Sequence, residues 1–127
     1  LLAAEVLISI KGSLAYALFI SSISFSARFT GIGFGSADYC ASTGGDMGKA
    51  SLVYGRGKII NAAAIYNTIA LDGVWLDFKD PEGCRAETEY VKSMGFKGRF
   101  AIHPDQIKPI HDAYRPSSEE LNGPKEF

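Results

Sequence analysis

Residues 31–40 read GIGFGSADYC, an apolar strand, closely spaced glycines and a carboxylate within ten positions. Ile32 and Phe34 alternate as core-facing residues do. Gly33 and Gly35 permit a backbone approach that a side chain would block. Asp38 follows at the rim. At the carboxyl end of a parallel strand, that rim is where binding and catalytic groups gather. Asp38 also suits a second role, capping a turn or the helix that follows, because aspartate bonds readily to nearby backbone N–H groups.

Downstream, CASTGGDMGKAS is a Gly/Ser/Thr-rich connection long enough to cover a site. The apolar residues Ile59, Ala62, Ala63, Tyr66, Ile69 and Ala70 then recur at helical spacing, predicting one helix over 52–70. Arg56 and Lys58 fall near its start, where cations oppose the helix dipole. They call for an anionic ligand or a neighbouring carboxylate, or are ordinary solvated charge. GVWLDF, 73–78, reads as the next strand, with Asp77 near its end as a candidate for lining a site. Asp80, Pro81 and Glu82 form a helix start: N-cap, first helical position and first-turn acid. That helix carries Cys84, Thr88, Val91 and Met94 on one face, and Gly95 ends it. RFAIH, 99–103, is a further strand with His103 at its carboxyl end. A histidine there could be a ligand or base, or a hydrogen-bonded residue that fixes the turn. Pro104, Asp105 and Gln106 open a helix at once, which favours the structural role. Ile107, Ile110 and Tyr114 continue it, and SSEE at 117–120 is a capping-box signature for one more.

Strand and helix alternate as in an α/β fold whose parallel sheet is wound by crossovers. Functional-looking residues fall at strand ends, which suits a (β/α) barrel. A full barrel needs about 250 residues, and this chain has 127. The expectation is a partial TIM barrel of three to four βα units, a single incomplete domain over 1–127 with an irregular apolar segment at about 1–27. Within that segment, LLAAEVLISI reads as a helix end or as a buried strand, and the apolar run 13–25 falls short of the about 20 residues of a membrane span. The chain begins inside apolar sequence and ends just past a helix signal, as a piece cut from a longer barrel would. With 13 basic and 14 acidic residues, no field holds nucleic acid or an anionic membrane. Cys40 and Cys84 match neither a metal spacing nor a disulfide framework and are expected as reduced thiols.

Three stretches, GIGFGSADYCASTGG, YGRGKIINAAAIYNTIALDGVWLDFKDPEGCRAETEYVKSMGFKG and IHPDQIKPIHDAYRPS, together and in this order resemble the citrate lyase beta-subunit-like family within the HpcH/HpaI aldolase superfamily, in the carboxy-terminal half of its barrel. The resemblance implies a TIM-type barrel, a homo-trimer or hexamer, and Mg²⁺-assisted cleavage or formation of a carbon–carbon bond in a 3-hydroxyacyl thioester, with Mn²⁺ as a possible substitute. Malyl, citramalyl or citryl groups on coenzyme A or an acyl carrier are the implied substrates, and the cytoplasm or mitochondrial matrix the implied compartment. By the same resemblance Asp38 is the metal aspartate, and the backbone at Ala37 and Asp38 meets a substrate oxygen.

The sequence departs from the family pattern in three respects. A second metal carboxylate, a glutamate, belongs at the end of the preceding strand. Aligning LISIKG with that strand puts Ile8 or Ser9 in its place, whereas aligning LLAAEV with the following helix puts the glutamate before Leu1. The substrate-binding arginine of the early strands and the aspartate of the carboxy-terminal lid have no counterpart either. Two expectations follow: a lyase fold that is catalytically incompetent as this chain alone, or a non-enzymatic or truncated relative that acts by packing against a partner subunit.

Overall fold

The computed structural model describes residues 6–11 and 29–123. The rest of the 1–27 segment, including Glu5 and the apolar run 13–25, lies outside them. Four strands, β1 (Val6–Lys11), β2 (Phe29–Gly35), β3 (Ile69–Asp72) and β4 (Gly98–Arg99), form one sheet in the order β1-β2-β3-β4. Every neighbouring pair is parallel. The helices are α1 (Ser36–Thr43), α2 (Lys49–Ile65), α3 (Pro81–Met94), α4 (Ile107–Tyr114) and α5 (Ser118–Leu121). The VLISIK run, legible either way in sequence, is a strand; its Ser9 and Lys11 lie in register with Gly33 and Gly35.

The alternation in β2 works as its residues dictate. Ile32 and Phe34 are fully buried and pack with Leu52, Ile59, Ala62 and Ala63 of α2 and with Val91 of α3. Ala70, in register with Ile32, shares that buried face. Ile69, in register with Gly31, is 42 % exposed. The described helices therefore cover one face of the sheet, and the small residues of β2 fall on the other.

Three expected elements move. The helix predicted over 52–70 ends at Ile65, and Ile69 and Ala70 belong to β3. Asn67 breaks the run: its φ of 51° is left-handed, which asparagine tolerates, and the Thr68 N–H closes the end on the Ala63 carbonyl at 2.9 Å. The strand predicted at 73–78 is consequently four residues earlier, and 73–80 is the loop that follows it. Likewise RFAIH contributes only Arg99 to β4. By contrast α3 runs as its caps specify. The Asp80 carboxylate accepts the Gly83 N–H at 2.9 Å, Pro81 is its first residue, and Gly95 closes it at φ 118°.

Candidate functional site

Because the strands are parallel, Gly35, Asp72 and Arg99 end at one edge of the sheet, and the residues that follow them share that edge. Ser36 begins α1 directly after β2, with Gly35 as its N-cap and no side chain closing the cap. Asp38 thus lies in the first helical turn, where a negative charge is favourable to the dipole. Ala37 and Asp38 are both exposed. No hydrogen bond or ion pair engages the Asp38 carboxylate among the described residues. Beneath them Phe34 and Tyr39 meet edge to face at 5.3 Å and fix the helix on the strand.

Asp77 is exposed in the loop after β3, where its carboxylate accepts the Lys79 N–H at 3.1 Å and shapes the turn. His103 accepts the Asp105 N–H on Nδ1 at 3.1 Å, capping the 3-10 turn Pro104–Gln106, and its ring stacks on Phe78 at 4.8 Å. Buried Gln106 joins the same two loops: its amide donates to the Trp75 carbonyl at 2.7 Å and accepts from the Ile102 N–H at 2.9 Å. The loops carrying Asp77 and His103 are therefore tied together, while neither residue bonds to Asp38.

Sequence reasoning missed a group of four buried charges behind this edge. Arg56 is not a free cation near a helix start. Its Nε and Nη2 donate to the two oxygens of Asp72 at 3.1 and 3.0 Å, and Nη2 also lies 3.3 Å from Glu87. Arg99 Nη2 reaches Glu87 at 3.1 Å and Asp72 at 3.3 Å. Burial works against the Arg56 charge, but the Asp72 and Glu87 carboxylates outweigh it and hold the guanidinium above its ordinary pKa. The quartet links α2, β3, α3 and β4. One signal was present in the sequence: Arg56 sits in the helical stripe Leu52, Arg56, Ile59, Ala63, every member of which is buried, so a charge there needs buried partners.

Cys40 and Cys84 are buried, and burial raises both thiol pKa values, so neither is set up as a nucleophile. Among the described residues no group of three or more His, Cys, Asp or Glu side chains converges as a metal cluster, and no helix is long and apolar enough to cross a membrane. Among the described residues, what remains at the edge is the unpartnered carboxylate of Asp38 beside a helix start.

Citramalyl-CoA lyase, mitochondrial, from Rattus norvegicus is 33 % identical over 96 residues, 74 % of this chain and 28 % of the relative. A citrate lyase subunit beta-like protein of Mycobacterium tuberculosis is 35 % identical over 98 residues, 72 % of this chain and 36 % of the relative. The chain thus spans about a third of the curated relatives it matches. Among solved structures, RipC from Yersinia pestis superposes with a TM-score of 0.86 at 26 % identity, covering 93 % of this chain and 55 % of that one. The citrate lyase beta subunit of M. tuberculosis complexed with oxaloacetate and magnesium gives a TM-score of 0.76 at 28 % identity, covering 88 % and 53 %. Residues 15–104 match the HpcH/HpaI aldolase/citrate lyase family, and the chain belongs to it.

Proposed function

We propose that this chain is part of a (β/α) barrel, an incomplete barrel domain over 1–127, of a carbon–carbon lyase acting on a 3-hydroxyacyl thioester such as a malyl, citramalyl or citryl group on coenzyme A or an acyl carrier. The observation that carries this reading is the exposed, unpartnered carboxylate of Asp38 in the first turn of α1, at the carboxyl edge of a parallel sheet. Relatives of this fold include structures with magnesium and oxaloacetate, and with magnesium, acetoacetate and coenzyme A.

The residues present fit one protein ligand of such a site. Mg²⁺ takes oxygen donors, keeps waters and needs only one or two carboxylates besides substrate oxygens, and Asp38 offers an oxygen donor that nothing else occupies. Bound there, the ion supplies Lewis-acid stabilisation of the negative charge that carbon–carbon cleavage leaves on oxygen. Asp38 would hold the ion, and the uncapped N–H groups of the first turn of α1, at Ala37 and Asp38, would orient an anionic oxygen of the substrate. Asp77 stands with the loop over the same edge. His103 keeps a structural role through its bond to Asp105. The family resemblance of the sequence stands behind a homo-trimer or hexamer as the assembly, and the cytoplasm or the mitochondrial matrix as the compartment.

A second reading has its own support. The strand beside β2 is VLISIK, with Lys11 in register with Gly35, so the neighbouring strand brings no second carboxylate. A relative that does no chemistry by itself and works by packing with a partner subunit accounts for this as well. Titration calorimetry of the 127-residue chain with Mn²⁺, with and without oxaloacetate, separates the two. Binding strengthened by oxaloacetate and lost in Asp38→Asn supports the metal site. A folded chain that binds no Mn²⁺ leaves the non-enzymatic reading.

A further inference from the structure

We propose that Arg99, acting through Gly73, is a positioning residue for Asp38; this rests on the metal-site reading above. Gly73 is the first residue after β3, and its carbonyl accepts from Arg99 Nε at 3.2 Å. The rest of that guanidinium is also engaged. Nη1 donates to the Thr88 hydroxyl at 3.4 Å, and Nη2 contacts Glu87 at 3.1 Å and Asp72 at 3.3 Å. Arg99 is therefore held by β3 and α3 together and cannot shift without breaking several charged contacts. It fixes the turn at Gly73 with the same rigidity.

The other side of Gly73 bears on α1. A Cβ at this position would lie 2.0 Å from the Ser36 hydroxyl oxygen, 2.7 Å from its Cβ and 2.8 Å from the Phe34 carbonyl oxygen. The turn after β3 is thus pressed against the residue that opens α1. Ser36 is 2 % exposed, and its hydroxyl has no hydrogen-bond partner among the described residues. Steric contact with the turn, and not a polar bond of that side chain, sets where the first turn rests. Asp38 is in that turn, so its carboxylate inherits the position. Ligand distances in metal sites tolerate only about 0.2 Å, far less than the displacement a methyl group at Gly73 would impose.

The test uses the full 127-residue chain as parent, Gly73→Ala, Gly73→Ala with Ser36→Gly, and Arg99→Lys, which keeps the charge but loses the planar fork. Amide hydrogen exchange is followed by NMR across α1 and α3, and Mn²⁺ affinity by broadening of the α1 amides with oxaloacetate present. The expected result is faster exchange in α1 and Mn²⁺ affinity lower by about 10- to 100-fold for both Gly73→Ala and Arg99→Lys, with α3 unchanged in Gly73→Ala and loosened as well in Arg99→Lys, which weakens the contacts to Thr88 and Glu87. Adding Ser36→Gly returns part of both signals, since two of the three crowded atoms are removed. Unchanged α1 exchange in either single variant, no recovery in the double variant, or equal loosening of α3 in Gly73→Ala overturns the proposal. Arg99→Lys decides it if Gly73→Ala does not fold. A parent that binds no Mn²⁺ overturns the metal reading instead, and α1 exchange alone then decides whether Gly73 and Arg99 position that turn.

Discussion

Asp38 and Asp72 stand at the same edge of one sheet, yet they serve opposite ends. Asp72 closes β3 on the helix-covered face and is fully buried, with two guanidinium groups on its oxygens. Asp38 comes three residues after β2, in the first turn of an exposed helix, and bonds to neither. A carboxylate at a strand end is therefore not a site by position alone. What separates them is whether the fold buries the carboxylate and has already supplied its cations.

The sharpest way to break this contrast is to remove Asp72. Asp72→Ala leaves Arg56 and Arg99 buried with only Glu87 between them and is expected to cost about 3–5 kcal/mol, read as a lower urea midpoint. A loss under about 1 kcal/mol would show that the quartet does not hold the four elements together. A third carboxylate, Asp80, lies between the extremes. Its single bond to the Gly83 N–H predicts a loss of about 1 kcal/mol for Asp80→Ala, measured in the same way.

Tyr114 probes the quartet from the far side. Its hydroxyl donates to the Phe96 carbonyl at 2.8 Å. Burial first, and then the Asp72 charge, raise its pKa from 10.0 to about 12, with Arg99 pulling the other way. The folded state holds this proton more tightly than the unfolded one. The contribution is therefore complete below pH 10 and is lost as pH rises from there through about 12. Tyr114→Phe should flatten that decline and cost about 0.5–1.5 kcal/mol at neutral pH, both read from denaturant unfolding against pH. The smallest effect on stability belongs to Asp38→Asn, expected within about 0.5 kcal/mol of the parent. A larger loss would mean that Asp38 has a structural partner and would erase the distinction from Asp72.

How far each region could be read from sequence follows the same division. Asp80, Pro81, Glu82 and Gly95 announced α3 because capping chemistry is local and each signal lies within a few residues of its effect. The Gly31–Asp38 stretch was legible for a similar reason: alternation and glycine act on the strand that contains them. The IALD strand was hidden, since a short apolar run after an Ala-rich helix continues the helical period until Asn67 breaks it. Arg56 was left open between a ligand, a neighbouring carboxylate and solvated charge, because its partners, Asp72 and Glu87, are brought to it by crossovers that local pattern does not reveal. Trp75 and Gln106 joined two loops in the same non-local way. The fit of Ser36 against Gly73 depends on the spacing of β2 and β3 and has no sequence signature beyond the glycine itself.

The sheet order β1-β2-β3-β4 has a consequence for folding. Each strand pairs only with the strand next to it in sequence, so the backbone ladder can form stepwise, each crossover closing a modest loop before the next begins. A ladder of that kind can also fray stepwise from either edge. The contacts among Arg56, Asp72, Glu87 and Arg99 interrupt that behaviour between α2 and β4. Opening α2 or β4 removes an arginine from Asp72 and Glu87, which the other arginine still holds in β3 and α3, and this turns neighbouring units into one cooperative block. Native-state exchange should show this block opening together, with β1 free to leave first.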